Sequence, residues 1–371
     1  MTSSMWQLHE DVCFGRSGGK IIWQPRIGCW FTDKRFAGEE LPEPYEGMEL
    51  DDIFRALGVS NRLYGHYNPC FRRVEHPAVE VTQRPLNDME TEITIRTPAG
   101  VQRAVQRRSL NNRGTIHVKR EVASEEELRV LTWREENSTW EWDQEQFDRA
   151  VREVGDLGAP TMYLPRMNIQ CLYIEKMGVE PAIYALYDFP DTAEAFFRAR
   201  DENHDRLVDV IAQSPIHIIN YGENVHSGTL PPELFLKYHL PACQHRSQRL
   251  RAAGKFTCSH WDGDCRPLLP YVHDTGLDGI EAITPQPQGD VTLEETREAL
   301  GDDMFLIDGI PAIYFDDTFP LEVLEDCVDR LIDLFAPRLV LGISDELSST
   351  GDIERIRRVK EMVDEYNAQF D

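Results

Sequence analysis

The chain has 371 residues, is 41% apolar, and carries a formal net charge of −26 from 39 Lys and Arg against 65 Asp and Glu. That is ample material for a large core, but the charge has the wrong sign for gripping nucleic-acid phosphates or an anionic bilayer. No apolar run is long enough to span a membrane.

The first eleven residues are polar and include Glu10 and Asp11, so they do not form a secretory signal, and a soluble cytoplasmic protein is expected. Eight cysteines are scattered without a CxxC pair, which predicts reduced, structural thiols. The N-terminal third lacks a regular period. Over 79–118, Thr- and Arg-rich alternating segments surround the turn Pro98-Ala99-Gly100 and predict a β-meander, so 79–120 is expected to be a β-rich insertion. Ser124 and Glu127 stand at capping-box spacing and start a helix. TMYLPR then predicts a strand, followed by helical stretches up to Ile211. HIINYGE is a strand, and a helix covers about 232–253 before Gly254.

From Phe256 onward the alternation is regular. FTCSHW, LDGIEAIT, MFLIDGI and RLVLGIS are strands, and RPLLPYVHDTG, VTLEETREALG, LEVLEDCVDRLIDLF and DIERIRRVKEMVDEY are the helices that follow them. Five clear βα units, a sixth near Thr161 and room for two more upstream predict an α/β fold, a (β/α)8 TIM barrel spanning 1–371 as one domain with the N-terminal β-rich elaboration. No Gly-rich dinucleotide fingerprint follows any strand.

Catalytic groups of such barrels lie at the carboxyl ends of strands. Five successive ends here carry Glu223, His260 with Asp262, Glu281, Asp308, and Asp345 with Glu346. Any single carboxylate of this set has solvation as its simplest explanation. His260 has no such explanation between Ser259 and Trp261, and suits a metal ligand or a general base. Glu223 and His260 sit on consecutive strands and can converge. They make a partial zinc set whose third member is open among His239, Asp262, Cys258 and Cys265, with a metal-free acid/base pair as the alternative. Alternation puts Cys258, His260 and Asp262 on one side of their strand.

From about Ser124 to the end, the chain resembles the uroporphyrinogen decarboxylase superfamily, through EELRVLTW, LPPELFLKYHLPACQ, FTCSHWDGD and LDGIEAITPQPQGDVTLEETREALG. The resemblance implies a barrel that is either a decarboxylase or a zinc-dependent methyltransferase working with a corrinoid. The Arg-rich segment with which the decarboxylases hold substrate carboxylates is replaced here by IIWQPRIGCWFTDKRFAG. The thiol-methylating branch has His-x-Cys where this chain has His260-Trp261-Asp262. The O-demethylase branch uses a Glu, Glu, His zinc set, which maps onto Glu223, His239 in place of the middle Glu, and His260. On that resemblance, Glu223, His260 and Asp262 are the expected catalytic residues, and Glu223, His239 and His260 the expected zinc ligands. Zinc would polarise the oxygen of a methyl ether, aromatic for preference, and the methyl would pass to the cobalt of a corrinoid protein. Trp23, Trp30, Tyr64, Tyr67 and Trp261 are candidates for an aryl pocket. Expected partners are that corrinoid protein and a small methylated substrate, with a homodimer as an open assembly and neither nucleic acid nor membrane. A decarboxylase and a non-catalytic ligand-binding barrel are the alternatives.

Overall fold

The structure, a computed structural model, describes residues 4–110 and 114–370. Seven strands form one parallel sheet: β1 (Ile22–Trp23), β2 (Thr161–Leu164), β3 (Ile218–Val225), β4 (Phe256–Trp261), β5 (Gly279–Glu281), β6 (Phe305–Pro311) and β7 (Leu339–Ser344). Their order is β1-β7-β6-β5-β4-β3-β2, and helices intervene between successive strands, as in a TIM-barrel-like α/β fold.

Eight strands are expected from the sequence, and seven are laddered among the described residues. Residues 59–63 connect the two edges instead. Ser60 N donates to Trp23 O (3.0 Å), Asn61 N to Leu157 O (2.7 Å), and Leu63 N to the Thr161 hydroxyl (3.2 Å). Gln24 Nε2 also donates to Ser60 Oγ at 3.0 Å. Side-chain hydrogen bonds replace part of the ladder here, which explains why no apolar alternation marks the segment.

Two apolar layers flank the sheet. The inner one contains Ile22, Ile218, Phe256, Cys258, Phe305, Ile307 and Val340. Val12 and Cys13 of the first helix, Met5–Cys13, pack onto it and cover the amino ends of the strands. The outer layer lies between the strands and the helices and holds most of the remaining core. Burial on both faces is why β4, β6 and β7 are buried at every residue and read as nearly continuous apolar runs. All eight cysteines are free thiols.

Two elements differ from expectation. RPLLPYVHDTG forms two short 3-10 turns, Arg266–Tyr271 and His273–Thr275, because Pro270, inside the stretch, withholds a donor an α-helix needs. LDGIEAIT stops being a strand at Glu281, because Ala282 takes a positive φ of 67°.

The predicted meander is a four-stranded antiparallel sheet of Glu80–Pro85, Glu90–Thr97, Gly100–Arg108 and Thr115–Lys119. One face lies on the helix Glu125–Glu136, where Gln102 Nε2 donates to Glu127 O at 3.1 Å. The Ser124 hydroxyl accepts from Glu127 N, as the cap spacing predicts. No helix among the described residues is long and apolar enough to cross a membrane.

Glu135 ends that helix fully buried, facing Arg200 (3.2 Å) and Arg73 (2.9 Å). Burial opposes its ionisation, but Arg200 and Arg73 outweigh that and bring its pKa down to about 2. Arg200 also donates to Arg166 O, so the cluster holds the loop after β2. Because the folded-state pKa is depressed, this stabilisation is present above the unfolded carboxylate range and fades as pH falls toward 2. E135Q should lower stability by about 3 kcal/mol at neutral pH. In denaturant titrations the gap from the parent should narrow as pH drops below the normal Glu range.

Candidate active site

The carboxyl ends of β2, β3, β4 and β7 border a cleft of about 510 Å³, lined by Arg26, Tyr64, Tyr163, Arg166, Glu175, Glu223, Asn224, His260, Asp262 and Asp345 among others. Under it lies a buried polar cluster to which neighbouring strands each contribute one group. Arg62, from the segment that joins the sheet edges, forms ion pairs with Glu281 on β5 and Asp308 on β6, both fully buried. Tyr163 on β2 donates to Glu281 Oε1 at 2.6 Å, and Asn220 on β3 donates to Glu281 Oε2. His260 on β4 places Nδ1 3.4 Å from Glu281 Oε2.

Backbone strain gathers at the same end. Ala282, Asp308 and Asp345 are the non-glycine residues with positive φ among those described (67°, 80° and 80°), and they stand at the ends of β5, in β6 and after β7. Such conformations cost about 1–3 kcal/mol each and persist where surrounding contacts hold them. At Asp308 the holding contact is Arg62. The neighbouring β7 residue must also be Gly342, since a Cβ there would collide with the Asp308 carboxylate.

Glu223 is buried at the mouth. Met167 N donates to its Oε1 at 2.8 Å, while Oε2 has no partner. Burial raises its pKa to about 7. His260 is lowered to about 3, first by burial and then by Arg26, Arg62 and Arg166, so its imidazole is neutral at physiological pH. Asp262 is raised, chiefly by burial. Its Oδ2 accepts from Asn224 at 3.3 Å and lies 3.9 Å from His260 Nε2.

Glu223, His260 and Asp262 therefore border one cleft. His239 does not border it. It ends a π-helical turn, Phe235–His239, fully buried against the Phe235 ring at 5.2 Å, with both ring nitrogens unpartnered. Cys258 faces the small inner cavity below the cluster, and Cys265 is buried against Val225 O and Asp262 O. The unpartnered oxygen of Glu223 and the two unpartnered nitrogens of His239 are donors that suit zinc, whereas Nδ1 of His260 faces Glu281. Among the described residues, however, no three His, Cys, Asp or Glu side chains stand together as a formed ligand set. Of the five candidate pocket aromatics only Tyr64 borders the cleft, stacked on Tyr163 at 4.1 Å. Trp23, Trp30, Tyr67 and Trp261 belong to the outer core.

Sequence reading missed the arginines. Arg26 and Arg166 follow β1 and β2 within a few residues, so a strand-end search for cations would have found them. Arg62 gave no such signal, because its segment forms no strand. Arg26 is bound by Glu346 at 3.2 Å, and Arg166 donates to Asn224 Oδ1 at 2.6 Å.

No family model matches the chain, and no curated protein matches it. Among solved structures it is similar to a methyltransferase from Methanosarcina mazei, with a TM-score of 0.56 and 12% identity, over 98% of this chain and 99% of that chain. At that identity the likeness is one of fold. A 3-dehydroquinate dehydratase from Geobacillus kaustophilus HTA426 (TM-score 0.32, 12% identity, 60% of this chain and 76% of that one) is too distant in shape to carry an argument.

Replacing Arg62 with Met would leave Glu281 and Asp308 buried without their bridging cation. Chemical denaturation should show a loss of about 3–5 kcal/mol. R62K should lose less, since it keeps the charge and gives up the two-pronged geometry.

Proposed function

We propose that the cleft carries out methyl transfer, taking a methyl group from a small methylated donor, an aromatic methyl ether for preference, to the cobalt of a corrinoid carried by a partner protein. The observation that carries the reading is the pair Glu223 and His260. They stand on adjacent strands and border one cleft, where Glu223 keeps an unpartnered oxygen and His260 Nε2 lies 3.9 Å from Asp262 Oδ2. The full-length likeness in fold to a protein described as a methyltransferase is consistent with it. The reading treats residues 59–63 as the eighth stave of a barrel whose mouth is this cleft.

In this reading Glu223 and His260 hold zinc, and the third position falls to Asp262, which borders the same cleft. When bound, zinc supplies Lewis acidity at the oxygen from which the methyl leaves. The protein's own groups do the positioning. Tyr64 and Tyr163 offer a stacked aromatic wall, and Arg62 fixes Glu281, which in turn stands beside His260. The neutral imidazole of His260 is the form that can donate a lone pair.

A second reading is favoured by Arg26 and Arg166, which line the cleft and bring positive charge to it within an otherwise acidic chain. A carboxylate-bearing substrate would be held there, and the reaction would then be a decarboxylation.

Metal analysis and transfer assays separate the two. Metal-replete protein should hold about one zinc per chain and should methylate reduced cobalamin from an aryl methyl ether. H260A should lose both properties, with at least a hundredfold drop in transfer, of the order seen when one electrostatic contact to a transition state is removed. Transfer that survives H260A would place the chemistry elsewhere. Zinc-free protein that releases carbon dioxide from a carboxylated substrate would favour the second reading.

A further inference from the structure

The insertion has a charge opposite to that of the rest of the chain. Residues 79–120 contain eight Lys and Arg against four Asp and Glu, a net +4 within a chain of −26, so the remainder carries −30. The register sorts these side chains. Ile95, Gln102 and Ala104 face the helix beneath and are buried. Arg96, Val101, Arg103, Arg107 and Ile116 share the opposite, outward face. Arg107 is paired with Glu90 at 2.6 Å, whereas Arg96 and Arg103 are exposed and make no ion pair among the described residues. Val101 and Ile116 are 37% and 54% exposed between them. Exposed apolar side chains set among unpaired arginines are the composition of a contact surface.

A complementary surface lies on the same chain. Along the helix Leu321–Phe335, Glu322, Asp326, Asp329 and Asp333 are exposed at spacings of four, three and four, which places them in one stripe. None of the four has an ion pair among the described residues; the helix's other charged groups, Glu325 and Arg330, are bound to Arg358 and Glu294. Like charges at these spacings repel, and the Asp329 carboxyl is raised by burial and by Asp333, Asp326 and Glu325. The stripe is about 16 Å long at 1.5 Å per residue. Arg103 and Arg107, four residues apart on one strand, span about 13 Å.

The two surfaces do not meet within one chain. The insertion lies on Glu125–Glu136, which joins the helix Pro190–Gln213, between β2 and β3, through Glu135 and Arg200, whereas the acidic helix joins β6 to β7. Four places in the strand order separate β2 from β6.

We propose that the outward face of the sheet docks on the acidic stripe of the helix Leu321–Phe335 in a second copy of this chain. The contact is head-to-tail, so it can build beyond a dimer unless the rotation closes a ring.

Sedimentation velocity of the full chain tests this at low salt, near 10 mM where the Debye length is about 30 Å, and near 1 M where it is about 3 Å. At low salt the mass should exceed the 42.8 kDa of one chain, rise with concentration, and return to one chain at high salt. R96E/R103E and D326K/D329K should each be monomeric at low salt, and mixing the two should restore association. A parent chain that stays monomeric at low salt overturns the proposal, as does either variant assembling like the parent, or a mixture that stays monomeric.

Discussion

Two carboxylates buried inside a sheet require a cation, and here Arg62 supplies it. Glu281 and Asp308 are fully enclosed, where an unpaired charge is costly to desolvate. One guanidinium meets both because it presents a planar fork of donors, which an ammonium cannot do. The contact crosses the sheet from a segment that belongs to no strand ladder to two strands far from it in sequence. It therefore ties the gap between the sheet edges to β5 and β6. Asp308 keeps its positive φ within this contact, and Gly342 is confined to glycine by the same carboxylate.

The chemistry at the mouth inherits its charge states from that cluster. His260 stands beside Glu281, yet burial and three arginines keep its ring neutral. Glu223, on the next strand, is also buried, and burial outweighs the Met167 amide, Arg166 and Arg246 and raises it. Two titratable groups on adjacent strands are thus pushed in opposite directions from their ordinary values, a pattern common at functional sites. Arg200 and Glu135 act from behind, fixing the loop that presents Arg166 and the Met167 amide that holds Glu223.

Much of this was legible in the sequence where the signal is local. Strand–helix alternation after Phe256 placed β4 to β7, because strands buried on both faces are apolar throughout. The meander was visible through its Thr-rich alternation and its Pro-Ala-Gly turn. The strand-end rule places Glu223, His260 and Asp262 at one mouth, and all three border the cleft. What escaped was non-local. Residues 59–63 bond to β1 and, nearly a hundred residues away, to β2, partly through Ser60 and a Thr161 hydroxyl, so no period marks them. The same segment carries Arg62, whose partners lie more than two hundred residues downstream. His239 sits at helical spacing before the same mouth, but a π-helical turn and the Phe235 ring leave it outside the cleft.

In the function proposed above, Glu223 and His260 form the heart of a metal-dependent mouth. A crystal structure of metal-replete protein, with anomalous data collected on both sides of the zinc edge, tests it most directly. One strong zinc peak is expected in bonding contact with the Glu223 carboxylate and the His260 ring, and the same map identifies the third ligand. A zinc peak away from both residues, or none in protein saturated with the metal, would contradict it.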